Sequence, residues 1–179
     1  MDREVIAKWI CLAVGGAVAL FFLYALVIFV VNIVSDWSGP KTVIYDRVYL
    51  DRQTGQRAYI PIGMLLGWLI DRNLMSRYFK HDGANEIARF KERSLTGPEI
   101  YEKWDGVLEH EMLTMRGNQF LKWYFDKYYG DFAATLVGGA KRFDETCLNV
   151  ENSWENYDRI KNVVDARFEF WREHVLCEK

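Results

Sequence analysis

The chain has 179 residues and a formal net charge of −2 at pH 7, from 23 basic and 25 acidic side chains. This length suits one domain with an appendage. The near balance of charge, together with the lack of any long basic run, argues against a nucleic-acid-binding protein, which would carry a basic patch or stripe.

A single membrane-spanning helix is predicted for residues 9–34, after a tail of residues 1–8. The stretch has no charged residue, and it is longer than the roughly 20 apolar residues that cross a bilayer. Trp9 and Trp37 stand near its ends, where interfacial anchors are expected. A cleaved signal peptide is the alternative, but its apolar core would cover only about 7–15 residues. The lipid bilayer is therefore a predicted partner.

A compact, mainly α-helical domain is predicted for residues 44–179, joined to the anchor by the linker 35–43. It opens with "TVIYDRVYLD", whose β-branched and aromatic residues favour a short β or extended segment. Residues 60–70 form a second apolar run that is too short to span a bilayer, so a buried core helix is expected. Gly63 and Gly67 share one face of that helix, where another backbone can approach.

Later boundaries carry recognisable helix signals. Thr96 precedes Glu99 by three residues, which predicts a capping box, and Pro98 falls in the first turn, where it is tolerated. The Asp105–Gly106 pair predicts a turn after this helix. Asn118 is predicted to cap the next helix.

The last helix has the clearest amphipathic pattern in the chain. Its apolar residues recur every three or four positions, which is the spacing of one helix face. They are Tyr157, Ile160, Val164, Phe168, Trp171 and Val175.

The His110–Glu111 pair in "LEHEMLTMRGN" is half of a zinc-hydrolase motif. That motif places a second histidine four residues after the first, and Thr114 occupies this position. We therefore interpret the stretch as a connector, with Leu108, Met112 and Met115 packed inward and the His–Glu pair on the surface. No metal site and no cofactor are predicted.

Two weaker chemical patterns remain open. Cys147 and Cys177 would form a disulfide only in an oxidising compartment. Glu151, Glu155 and Asp158 are spaced to share a helix face, where they could bind a cation or act as acid and base. A solvated acidic face is the simpler interpretation.

Aromatic residues among charged neighbours suit a protein-binding surface. These side chains could be partly exposed, but for any single one the expected arrangement is a ring packed inward with its polar tip in water. We predict no catalytic residue. The candidate binding residues are Tyr101, Trp104, Asp105, Tyr128, Tyr129, Trp154, Glu155 and Asp158.

Three blocks resemble a family of small uncharacterised bacterial helical domains, classed as a domain of unknown function. They are "IGMLLGWLIDRNL", "RSLTGPEIYEKWDGVLEHEMLTMRGNQFLKWYFDKYY" and "SWENYDRIKNVVDARFEFWRE", and the resemblance spans about residues 44–175. It implies a helical domain without an established activity, similar in general appearance to immunity proteins. The similar domains are soluble, so the predicted anchor departs from their pattern.

The predicted function is therefore a membrane-anchored, non-catalytic protein-binding domain, most simply an immunity protein that neutralises a bacterial toxin. The expected location is the bacterial inner membrane, crossed once, with the domain in the cytoplasm. One alternative is an enzyme that uses the acidic cluster, with or without a metal. Another is a structural component of a membrane complex. The sequence leaves the oligomeric state open.

Overall fold

The computed structural model describes residues 44–47, 55–138 and 145–176. This part of the chain is mainly helical, as predicted, with a two-stranded antiparallel sheet. The elements are β1 (Ile44–Arg47), α1 (Ile60–Asp71), α2 (Arg77–Asp82), α3 (Ala84–Lys91), α4 (Gly97–Lys103), β2 (Val107–Glu109), α5 (Met115–Leu136) and α6 (Trp154–His174). Short 3-10 helices cover Gly55–Tyr59, His110–Met112 and Glu145–Asn149.

Several predictions fall on residues that the structure does not describe. The predicted membrane helix 9–34, the linker 35–43 and Cys177 lie outside the described residues, whereas Cys147 is buried. Within the described ranges, no helix combines the length and the apolar character needed to cross a membrane.

Helix α1 forms the centre of the core, which confirms the predicted buried helix. Every residue from Ile60 to Ile70 is buried, as expected of a helix that is apolar on all sides. The Trp68 ring lies 5.2 Å from Phe120 of α5 and 5.4 Å from Phe168 of α6, between ring centroids. α1 is thus enclosed by the two longest described helices.

The backbones of α1 and α4 touch where they cross. A Cβ atom added to Gly63 would overlap the Cα of Pro98, and one added to Gly97 would overlap the carbonyl oxygen of Gly63. At Gly67 the nearest atoms belong to the Phe90 ring, at 2.9 Å. The predicted tight packing on this face of α1 is confirmed. At Gly63 the nearest atoms are backbone atoms of Pro98 in α4.

A carboxylate on α6 binds three donors and joins that helix to α1. Asp165 accepts hydrogen bonds from Trp68 Nε1 at 2.6 Å, Arg72 Nε at 2.8 Å and Lys161 Nζ at 2.7 Å. Burial acts to raise the pKa of Asp165, but the hydrogen bonds from Lys161, Trp68 and Arg72 outweigh it and leave that pKa below its usual value. The carboxylate is therefore charged in the folded domain at neutral pH.

The capping box at the start of α4 is confirmed. The Thr96 hydroxyl accepts from the Glu99 backbone N–H at 3.5 Å, and the Glu99 carboxylate accepts from the Thr96 backbone N–H at 2.7 Å. Asn152 donates its side-chain N–H to the same hydroxyl at 2.9 Å. Thr96 therefore caps α4 and also holds the chain that leads into α6.

Replacing Thr96 by alanine removes both interactions, so we expect the free energy of unfolding to fall by about 1–2 kcal/mol. Denaturant titration of the variant and the parent measures this difference. Thr96→Ser keeps the hydroxyl and is the matched control, expected to stay close to the parent. An equal loss in both variants would contradict the capping role.

The amphipathic pattern of α6 is confirmed at five positions. Tyr157, Ile160, Val164, Phe168 and Trp171 are buried, because residues three and four apart share the face that packs on α1 and α5. Val175 follows the end of α6 and is half-buried.

The predicted cap of α5 is wrong. Thr114 caps the helix instead, since its hydroxyl accepts from the backbone N–H of Gly117 at 3.1 Å. Asn118 consequently lies in the first turn, where its side chain is 7% exposed. Threonine and asparagine are both good N-caps, so residue type alone does not separate them.

The connector before α5 is confirmed only in part. Leu108 and Met112 are buried, and the His110–Glu111 pair is exposed, as predicted. Met115 was expected to pack inward, but it is 78% exposed. It is the first residue of α5 and lies on the outward side of the helix.

Candidate functional site

The structure places the eight predicted binding residues in different parts of the domain. Tyr101 and Tyr128 are fully buried, so both follow the inward-packed arrangement and neither ring belongs to an exposed surface. The Tyr128 hydroxyl donates to the carbonyl oxygen of Pro61 at 2.6 Å, within the core. Their charged neighbours in sequence lie on other faces of the helices, and both hydroxyls donate hydrogen bonds, as those of buried tyrosines usually do.

Two of the tyrosines hold strand β1 through one carboxylate. Tyr101 of α4 donates to Asp46 Oδ2 at 2.7 Å, and the half-buried Tyr129 of α5 donates to Asp46 Oδ1 at 3.1 Å. Burial, reinforced by Asp46, raises the pKa of both phenols. Both therefore remain protonated donors at neutral pH, and their role in the described structure is to fix β1.

Trp104 and Asp105 lie at the surface end of α4. The Trp104 ring is half-buried, with centroids 4.4 Å from Phe79 and 6.0 Å from Tyr78. Tyr78 is 51% exposed, so Tyr78 and Trp104 place two neighbouring aromatic rings at the surface. Asp105 is exposed and has a φ of 54°, which confirms the predicted turn.

Trp154 and Asp158 hold an arginine that the sequence analysis did not identify. The guanidinium of Arg93 lies 4.8 Å from the Trp154 ring centroid and makes two hydrogen bonds to the Asp158 carboxylate, at 2.9 and 3.0 Å. Trp154 Nε1 also donates to the carbonyl oxygen of Arg93 at 3.1 Å. The backbone of Arg93 has a φ of 56°, which bulky residues adopt only at some cost.

The two tryptophans mark the two ends of helix α3. Trp104 lies beside Gly83, immediately before this helix, and Trp154 packs on Phe90 near its end with ring centroids 5.2 Å apart. Eight helical residues span about 12 Å. We refer to the surrounding residues as the α3 surface: Tyr78, Arg93, Trp104, Asp105, Trp154, Glu155 and Asp158.

The predicted acidic cluster does not form as a single helix face. α6 begins at Trp154, so Glu151 precedes the helix, and Asp158 is bound by Arg93. No group of three histidine, cysteine or carboxylate side chains suited to a metal occurs within residues 44–47, 55–138 and 145–176. The prediction required the helix to include Glu151, but the helix begins three residues later.

A separate groove lies between β1, the connector and the start of α5. It is half-open, with a volume of about 820 Å³, and most of its surface is apolar. Its lining includes Tyr45, His110, Leu113, Met115, Asn118 and Lys122. The connector therefore forms one wall of the groove. The incomplete zinc motif within the connector did not predict this role.

Asn118 links the parts that form this groove. Its side-chain oxygen accepts from the Tyr45 hydroxyl at 2.9 Å, and its Nδ2 donates to the carbonyl oxygens of His110 at 3.0 Å and Leu113 at 3.5 Å. The strand, the connector and α5 thus meet on one buried carboxamide. Burial raises the pKa of Tyr45, so its hydroxyl remains a donor at neutral pH.

The profile of a family described as a domain of unknown function, DUF7832, matches residues 44–146. The chain belongs to the DUF7832 family. No curated protein matches the chain, and no solved structure matches it. The DUF7832 match begins at β1 and includes the groove residues, Trp104 and the whole of α5, whereas Trp154 and the rest of α6 lie beyond it.

Proposed function

We propose that this DUF7832 protein is a membrane-anchored, non-catalytic protein-binding domain, and within that class an immunity protein that neutralises a bacterial toxin. Residues 9–34 would anchor it once in the bacterial inner membrane, with the domain on the cytoplasmic side. The observation that carries the proposal is the Arg93–Trp154–Asp158 arrangement on the α3 surface.

This arrangement has the composition of a protein-binding hot spot. Tryptophan, tyrosine and arginine are the residue types enriched at such positions. Trp154 and Arg93 lie at one end of α3, and Tyr78 lies beside Trp104 at the other end. Charged side chains accompany them at Glu155 and Asp158, so the surface offers apolar contact with a polar rim.

The central side chains are already held in place. Arg93 is positioned by a two-point hydrogen bond to Asp158 and by the Trp154 ring, while Trp154 is supported from behind by Phe90 and Tyr157. A side chain that is ordered before binding loses less conformational entropy in the complex. Arg93 and Trp154 would therefore lose little conformational entropy on binding a folded partner.

The test is co-expression of the full chain with each product of the neighbouring genes, followed by growth and co-purification. We expect one product to be toxic alone, harmless with this chain and bound to it. If no neighbouring product is toxic or bound, the immunity proposal fails.

Surface variants then locate the binding site. Tyr78→Ala and Arg93→Ala are expected to weaken binding by about tenfold or more, as hot-spot truncations do. Phe170→Ala is the matched control, because Phe170 is also 51% exposed but lies sixteen residues beyond Trp154 in α6, about 24 Å along the helix. Equal effects of all three variants would place the interface elsewhere.

A further inference from the structure

Met115 is the most exposed large apolar residue within the ranges 44–47, 55–138 and 145–176. It is 78% exposed, against 51% for Tyr78 and Phe170 and 44% for Ile44. Oxidation of a methionine to its sulfoxide converts a flexible apolar side chain into a polar one, and the change is reversible. An oxidant dissolved in water can reach the thioether sulfur of Met115 without any opening of the fold.

The other methionines of the described residues lie in the core. Met64 and Met75 are each 1% exposed, and Met112 is 2% exposed. Met112 is only three residues before Met115, so the two methionines differ greatly in burial although they are neighbours in sequence. Because an oxidant must reach the sulfur atom, the folded domain should react at Met115 and protect the other three.

The position of Met115 also tolerates the polar product. In the core, a sulfoxide oxygen would lose its hydration and destabilise the fold. Met115 is instead the first residue of α5, where the N–H groups of the first helical turn have no acceptor within the helix. The partial positive charge at this end of a helix favours a negatively polarised oxygen, so oxidation of Met115 is compatible with the folded domain.

Oxidation at this position would alter the surface of the groove. Met115 belongs to the groove lining together with the buried Leu113 and the half-buried Tyr45. These three side chains supply apolar surface, and Met115 is the exposed one among them. A sulfoxide there would place a strongly polar group at the edge of an otherwise mostly apolar groove, while the core around Leu113 keeps its packing.

We propose that Met115 is a site of reversible oxidation on the folded domain, with hydrogen peroxide as the oxidant. A lone pair of the Met115 sulfur attacks one peroxide oxygen, an S–O bond forms, the O–O bond breaks, and the second oxygen leaves as water. The sulfur is oxidised by two electrons and the peroxide is reduced. In the reverse step two thiols become one disulfide, and the sulfoxide oxygen leaves as water. This site is independent of the proposed toxin and of the proposed anchor.

The test compares oxidation rates within one chain. The full chain is treated with hydrogen peroxide under native conditions, and mass spectrometry with peptide fragmentation follows the gain of one oxygen at each methionine. We expect Met115 to react at least about tenfold faster than Met112, because reactivity follows exposure. In denaturant the two rates should become equal. Equal rates under native conditions would overturn the proposal.

Reversibility in the folded state is measured on the same oxidised chain. Two methionine sulfoxide reductases, one for each sulfoxide epimer, should restore Met115 without denaturant. The denaturant midpoint of the oxidised chain should equal that of the untreated chain, and Met115→Leu treated in the same way is the matched control for oxidation elsewhere. A midpoint that falls in the parent but not in Met115→Leu would overturn the proposal. A sulfoxide that is reduced only after unfolding would also overturn it.

Discussion

Replacing Gly63 by alanine is expected to lower the free energy of unfolding by about 3 kcal/mol, the upper end of the range for overpacking, because the new methyl group would overlap the backbone of α4. The nearest atoms are the Cα and N of Pro98, which cannot move aside as the end of a side chain can. The gain in helix propensity from glycine to alanine, about 1 kcal/mol, is too small to compensate. Denaturant titration of the full chain measures the difference.

Gly130→Ala provides the matched control for this result. Gly130 lies within α5, and a Cβ atom added to it would meet no atom within 4 Å. We therefore expect this variant to be more stable than the parent by about 0.5–1 kcal/mol. If the two variants changed stability in the same direction, the close crossing of α1 and α4 would not be the cause.

Replacing Asp165 by alanine is expected to cost about 3 kcal/mol. The change removes the acceptor shared by Trp68, Arg72 and Lys161, and cations that lose a largely buried partner are costly to leave behind. We expect the lower end of the range for buried pairs, since the Asp165 side chain is 20% exposed. Asp158→Ala is the control, and it should lose only a small fraction as much because that ion pair is exposed and exposed pairs contribute little.

The effect of Asp165 should also depend on pH. Its pKa is lower in the folded domain than in the unfolded chain, where an aspartate titrates at about 3.9. Its contribution to stability is therefore fully present above that value and is lost as the pH falls through the folded pKa. The stability gap between the parent and Asp165→Ala should be constant from about pH 7 to about pH 5 and shrink below about pH 4. A gap that widened on acidification would contradict the assignment.

The sequence was informative where the physical cause of an element is local. The apolar run of α1, the Thr96 capping box and the apolar periodicity of α6 each depend on residues close together in sequence, and all three predictions are confirmed. The family membership over residues 44–146 is likewise consistent with the resemblance that its motifs carried. These features need only neighbouring residues to be recognised.

The candidate site was harder to predict because its contacts join distant parts of the chain. Arg93 acquires its role only when Trp154 and Asp158, more than sixty residues later, pack beside it. Tyr101 and Tyr128 have charged neighbours in sequence, but those neighbours lie on other helix faces while the rings enter the core. Met115 differs because the helix begins there, after the Thr114 cap, rather than after Asn118, so Met115 is a residue of the first helical turn and not of the connector.

The single carboxylate of Asp46 has a mechanical consequence for the domain. Tension in the chain before Ile44 would enter the folded part through β1, whose pairing with β2 covers only four and three residues. Because Asp46 accepts hydrogen bonds from Tyr101 and Tyr129, the force on β1 is shared with α4 and α5. A pull on the chain before Ile44 would therefore act on α4 and α5 as well as on β2.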